Sequence, residues 1–194
     1  MPRVVDARGK ACPQPVIMTK QALAGDDDVI TIVDNEISQR NVSRMAEKQG
    51  FHVQVETRAD GLYLHLTRAA SQPTPATPPA PSAGALVVLI GADTIGRGDD
   101  ELGGVLMRAF LHTLTEMDVL PDTIILINSG VKLAVAGSPV LADLRALADA
   151  GVQVLACGTC LGHYHLKEQM AVGEISNMYS IAEALLGAAR VVRI

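Results

Sequence analysis

The chain has no tryptophan, two phenylalanines and three tyrosines, so aromatic residues occupy only 3% of its 194 positions. Platforms that stack successive bases depend on aromatic side chains, and this scarcity argues against one here. Positive charge is also short: 16 Lys and Arg face 21 Asp and Glu, a formal net charge of −5. Phosphate backbones are held by clustered Lys and Arg, so no direct nucleic-acid partner is expected. No apolar run reaches the roughly 18–20 residues that cross a bilayer, and the first residues lack the apolar centre of a secretory signal. The expectation is a cytoplasmic protein with no membrane partner. Cysteine is sparse as well, limited to Cys12, Cys157 and Cys160. An odd set of three in a reducing compartment points to reactive or buried thiols rather than structural disulfides.

What is abundant is aliphatic. Hydrophobic residues make up 48% of the chain, and with so few aromatics any core is built from Val, Leu, Ile, Ala and Met, the composition of an α/β protein. The segment "AASQPTPATPPAPSAG", 69–84, has five prolines and no bulky apolar residue. It reads as a semi-rigid linker of roughly 3.1 Å per residue, about 45 Å when extended. Two domains follow, 1–68 and 85–194.

In the first, "RVVDARG" reads as a strand and turn, and Pro13 to Ala24 as a helix with Val16, Ile17, Leu23 and Ala24 toward the core. "VITIVDN" is a strand, Val42, Met45 and Ala46 recur at helical spacing, and Gly50 sits where a helix C-terminus ends. "FHVQVETRADGLYLHL" alternates on both sides of Asp60-Gly61, as an antiparallel hairpin does. The order β-α-β-α-β-β predicts a small two-layer α/β sandwich with both helices on one face and a polar face left open for docking.

In the second, "ALVVLIG", "TIILIN" and "VQVLAC" read as buried strands. Leu102, Val105, Leu106, Ala109, Phe110, Thr113, Leu114 and Met117 recur at helical spacing, and a further helix is capped by Ser138 and opened by Pro139. Alternating strand and helix predicts a doubly wound parallel sheet. Ligands of such sheets gather beyond the carboxyl ends of the strands. Those ends are "GADTIGRGDDELG", "NSGVKL" and "CGTCLG", three loops expected to converge on Cys157 and Cys160.

A thiol directly before a helix is a candidate nucleophile. Proline at the first helical turn forfeits no intrahelical hydrogen bond, so Pro13 places Cys12 at the helix N-cap, where free N–H groups and the positive end of the dipole favour a thiolate. The plainer reading makes Cys12 a small buried residue and Pro13 and Pro15 mere punctuation of a strand-to-helix turn. Asp6 and Arg8 are placed to brace this loop by a charge-assisted hydrogen bond, although a solvated turn at Gly9 accounts for them equally well.

These residues carry a family resemblance. "DARGKACPQPV", 6–16, resembles the Asp-x-Arg-Gly-x-x-Cys-Pro-x-Pro signature of TusA/SirA-like sulfur-carrier domains, and the element order over 1–68 agrees with their fold. Residues 85–194 resemble a DsrE-like domain, and "NSGVKL", "CGTCL" and "NMYSIAEALL" in tandem with a TusA-like domain are similar to the YedF proteins. The resemblance implies that Cys12 accepts a persulfide sulfur and hands it on. It implies a relay cysteine between strand and helix in the second domain, which matches Cys157 by position. It also implies a cysteine desulfurase or other sulfur donor, a downstream sulfur or selenium acceptor protein, and homo-oligomers built through the DsrE-like domain. No cofactor is required, because persulfide transfer needs only a thiolate and an accessible acceptor.

Other candidates weigh less. Gly96 and Gly98 resemble a phosphate loop, but Asp99, Asp100 and Glu101 repel phosphate and suit a helix start. Lys132 is a candidate cation for a Cys157 thiolate, or a solvated surface lysine. Cys157, Cys160, His163 and His165 are soft-metal ligand types, but so compact a run suits a zinc site poorly, and no metal is expected. Cys157 and Cys160 form a Cys-x-x-Cys pair able to cycle between dithiol and disulfide. Alternatively, Cys157 ends a buried strand and Cys160 alone is accessible. The functional expectation is a sulfurtransferase-like carrier relaying sulfur, or selenium, through Cys12 and the Cys157/Cys160 pair. The alternative is a redox-regulated adaptor without transfer activity.

Overall fold

Strand β1 (Arg3–Asp6) runs parallel to β2 (Asp28–Val33), which pairs antiparallel with β4 (Gly61–Arg68), and β4 with β3 (Phe51–Arg58). The sheet order is β1-β2-β4-β3. Helices α1 (Gln14–Leu23) and α2 (Glu36–Lys48) pack against it. Their inward residues Val16, Leu23, Val42, Met45 and Ala46 are buried, as are Val29, Val33, Leu64 and Leu66 of the sheet. Each fully buried side chain of this size contributes roughly 1.5–3 kcal/mol. Ile17 is only half-buried and Ala24 is exposed, because the inward arc of α1 runs through Pro15, Val16, Thr19, Ala22 and Leu23. The hairpin turn is Ala59-Asp60, one residue earlier than the sequence suggests, since Arg58 pairs directly with Gly61.

This computed structural model describes residues 2–11, 13–68 and 84–194. Cys12 therefore lies outside the described residues, as does the proline-rich segment apart from Gly84. The chain divides into two compact units, Met1–Ala80 and Pro81–Ile194.

The second unit is a five-stranded parallel sheet in the order β8-β7-β6-β5-β9. Its strands are β5 (Leu86–Ile90), β6 (Thr123–Leu126), β7 (Gln153–Cys157), β8 (Glu174–Ser176) and β9 (Arg190–Arg193). Between them run α3 (Asp100–Thr115), a 3₁₀ segment (Asn128–Ala134), α4 (Leu141–Asp149), α5 (Gly158–His163) and α6 (Met178–Gly187). The chain steps one way from β5 to β8 and then returns through α6 to β9 on the far side of β5. Right-handed crossovers put α6 on the face opposite α3 and α4, so the sheet is covered on both sides. Ile124, Ile125 and Leu126 of β6 are accordingly fully buried. Strand order reverses at β5, where doubly wound sheets place their ligand crevice.

Two helices differ in detail from the sequence pattern. In α3 the buried arc is Gly103, Met107 and Leu111, whereas Leu102, Val105 and Leu106 are exposed, as is Met117 just beyond the helix. A Cβ at position 103 would sit 2.9 Å from the Thr94 side chain and 3.0 Å from the Ile95 carbonyl. That close approach seats the Gly103 side of the helix inward and turns its more apolar stripe to solvent. Asp99 caps α3, accepting a hydrogen bond from the Leu102 N–H at 2.7 Å. Helix α4 starts at Leu141 rather than Pro139, because a turn closed by the Leu141 N–H on the Ser138 carbonyl (3.2 Å) comes first.

Candidate functional site

The residues leading up to position 12 are fastened to the rest of the unit. The Ala7 N–H donates to the Ile32 carbonyl at 2.9 Å, and the Gly9 N–H to the Asp34 carboxylate at 2.7 Å. Arg8 forms a fork with Asp6, Nε to Oδ1 at 2.9 Å and Nη2 to Oδ2 at 2.7 Å, while its Nη1 reaches Asp60 at 2.7 Å. The Tyr63 hydroxyl donates to the same Asp60 carboxylate at 2.8 Å. Arg8 thus ties the β1–α1 loop to the β3–β4 turn. The Arg8 side-chain hydrogen bond, reinforced by its N–H, holds the Asp6 carboxyl down at about 2.

Helix α1 has Pro13 at its N-cap and Pro15 in its first turn, and the Gln14 N–H closes a turn on the Ala11 carbonyl at 2.8 Å. The helix therefore starts one residue later than an N-cap at Cys12 requires: Pro13, at φ −99° and ψ 17°, is not yet helical. The helix-free face of the sheet carries the row Asp6, Ile32, Tyr63 and Glu56 across its four strands. Arg58 spans this row, paired to Glu56 at 2.8 Å and lying 4.1 Å over the Tyr63 ring.

In the second unit the three loops do converge. The Asn128 N–H, just beyond β6, donates to Cys160 Sγ at 3.1 Å. The Tyr164 hydroxyl donates to Asn128 Oδ1 at 3.1 Å, and the Asp93 N–H, beyond β5, to Ser129 Oγ at 3.3 Å. Asn128 holds the left-handed backbone conformation, φ 50°, which asparagine tolerates better than most residues. Gly130 lets the 3₁₀ segment pass against β5, since a Cβ there would stand 2.6 Å from the Ile90 carbonyl. These two residues aim the Asn128 N–H at sulfur.

The two distal thiols differ sharply. Cys157, last residue of β7, is 1% exposed, whereas Cys160, in the first turn of α5, is partly open. Burial pushes the Cys160 thiol up, contact with Cys157 adds to the rise, and the Asn128 N–H pulls the other way without cancelling it. Lys132 belongs to the cluster, but its ammonium is 3.3 Å from the Asp93 carboxylate and 5.0 Å over the Tyr164 ring, so it is committed to those groups. An open depression of about 450 Å³ is lined by Lys132, Val135, Ser138, Pro139, Tyr164 and Leu166 among others, and neither thiol is part of that lining. His163 and His165 are exposed. Among the described residues no three His, Cys, Asp or Glu side chains gather as a metal site requires, and no helix is long and apolar enough to cross a membrane.

Asn128, Ser129, Asp93 and Tyr164 escape sequence reasoning. "NSGVKL" and "GADTIGRGDDELG" are legible as loops at the strand ends, but nothing in them singles out Asn128, Ser129 or Asp93, and a lone tyrosine carries no spacing signal.

The family model described as sulfurtransferase TusA matches residues 3–68, and that of the DsrE/DsrF-like family matches residues 98–194. Among solved structures, the chain is similar to a SirA-like protein from Desulfitobacterium hafniense, 35% identical, over 34% of this chain and 97% of that one, with a TM-score of 0.31. It is also similar to the ychN protein from E. coli, 19% identical, over 57% of this chain and 99% of that one, with a TM-score of 0.45. A protein of unknown function from Methanobacterium thermoautotrophicum is 18% identical over 57% of this chain and 99% of that one, with a TM-score of 0.42. No curated protein matches the chain.

Proposed function

Because the chain belongs to the DsrE/DsrF-like family and carries a TusA-type sulfurtransferase domain ahead of that part, we propose that it is a sulfur carrier that relays persulfide sulfur through Cys12 and the distal thiol pair. Both families are related to sulfur carriage and transfer. The observation that carries the finer reading is Cys160 Sγ, partly open and gripped by the Asn128 N–H where the loops beyond β5, β6 and β7 meet. A thiol so placed accepts a sulfane sulfur by attacking the outer sulfur of a donor persulfide, and the donor leaves as a thiolate. Cys12, in the signature at 6–16, is the entry thiol. The loop that leads into it is held at Arg8 by the Asp6–Arg8–Asp60 links.

The donor is a cysteine desulfurase or another persulfide-bearing protein, and the receiver a sulfur or selenium acceptor protein. The compartment follows the cytoplasmic expectation, and the second unit is the assembly surface for copies of the chain. The test is intact-protein mass spectrometry after exposure to a cysteine desulfurase and cysteine. Sulfur adducts of about 32 Da per transferred atom are expected on Cys12 and on the 157–160 segment. Cys12→Ser should abolish desulfurase-dependent loading of both. Unchanged loading of Cys12→Ser would overturn the entry role of Cys12.

A further inference from the structure

Cys157 has no route to an outside partner. It is 1% exposed at the end of β7, yet it occupies the position just before α5 while Cys160 lies three residues on, so the two side chains meet across the first helical turn, the spacing that brings cap and third-residue side chains together elsewhere. Contact between the two thiols is also among the causes that push Cys160 up. Among the described cysteines, the one that meets Cys157 is Cys160. Beside it, on β8, Ser176 pairs in register with Cys157, so both side chains leave the same face of the sheet. Ser176 is fully buried, and its hydroxyl is a buried side-chain group with no hydrogen-bond partner among the described residues. A buried hydroxyl normally finds a partner. An unspent donor next to a buried thiol is what a transient thiolate needs.

From this geometry we propose that the pair has a second activity: Cys157 resolves the persulfide on Cys160 and discharges its sulfur as hydrogen sulfide, with the Ser176 hydroxyl supporting the attacking thiolate. Cys157 loses its proton and attacks Cys160 Sγ. A Cys157–Cys160 disulfide forms, the bond from Cys160 Sγ to the sulfane sulfur breaks, and hydrosulfide leaves and takes up the proton that Cys157 released. The sulfane sulfur is reduced by two electrons and the two cysteine sulfurs are oxidised by the same two, so the step draws on no other reductant. A dithiol reductant is needed only to reset the pair for another round. Sulfur that finds no acceptor is thereby released instead of lingering on an open thiol.

The inference rests on Cys160 loading as described under Proposed function, and one experiment separates the two. The full chain is loaded with inorganic polysulfide as the probe, desalted, and followed for free sulfide and for intact and peptide mass without added reductant. Loaded wild type should release about one sulfide per chain lost from the Cys160 adduct, and the peptide carrying residues 157–160 should end about 2 Da below its dithiol mass. Cys157→Ser should load equally, keep its adduct and release no sulfide. Ser176→Ala should load normally but discharge about tenfold more slowly, the effect of one hydrogen bond, and Ser176→Thr, which keeps the hydroxyl, should restore the rate. A wild type that loads Cys160 and keeps the adduct, or passes it intact to Cys157, overturns the discharge step while leaving the carrier function standing. Ser176→Ala discharging at the wild-type rate removes Ser176 from the step. Failure of Cys160 to load at all overturns the carrier reading itself.

Discussion

Cys160 combines an accepted N–H with an ionisation above the usual thiol range, and this fixes how it should react. Its thiolate fraction at neutral pH is small, so reaction with an external electrophile climbs as pH rises, with a midpoint above the roughly 8.5 of a free cysteine. Iodoacetamide labelling followed by peptide mass spectrometry against pH should show this. Cys157→Ala removes one of the causes of the rise and should bring the midpoint part of the way back, since burial, the larger cause, remains. An ordinary midpoint in the wild type would mean that Cys160 is more solvated than the structure shows. Lys132 offers little help to either sulfur, because its charge is already matched by Asp93.

The 3₁₀ segment Asn128–Ala134 is the element on which the distal site turns, and Gly130 sets its position. Gly130→Ala drives a methyl to 2.6 Å from a backbone carbonyl that cannot move without disturbing β5. Overpacking of this kind costs about 1–3 kcal/mol. Denaturant unfolding should show that loss as a lower midpoint with little change in slope. Gly98→Ala is the control: nothing lies within 4 Å of its added carbon, and its stability should stay within about 0.5 kcal/mol of wild type. Helix α3 shows the same principle. Gly103 permits close approach on one side, and the helix turns that side inward in preference to the stripe of larger apolar residues.

For the chain as a whole, the two units should fold independently. Residues 1–68 and 85–194 produced separately are each expected to unfold cooperatively, because each sheet has its own buried residues. Acid should strike the first unit in a defined window. Asp6 is held at about 2 in the folded state against an ordinary 3.8, so its contribution is present above 3.8 and is lost as pH falls toward 2. Asp6→Asn should therefore flatten the acid limb of unfolding for this unit over that range. The proposed relay, taken with the semi-rigid linker that the sequence leads one to expect at 69–84, predicts a millimolar effective concentration of one thiol at the other. Label loaded on Cys12 should then reach Cys160 by a first-order process independent of protein concentration. A rate proportional to concentration would instead make the relay intermolecular.

The local pattern of residues determined much of this by itself. Alternation and helical spacing give both α/β units, since period and turn chemistry are properties of neighbouring residues. The Cys-Pro-x-Pro signature marks Cys12, and apolar strands ending in loops mark the edge where Cys157 and Cys160 lie. Tertiary structure alone decided the rest. The inward arc of α3 depends on a contact between Gly103 and the loop before it, and the grip of Asn128 on Cys160 joins residues 32 positions apart. Which distal thiol is open depends on how β7 is covered, and the place of Ser176 beside Cys157 on β7–β8 pairing. A sequence records spacing along the chain, whereas burial and register are set by which surfaces meet across it.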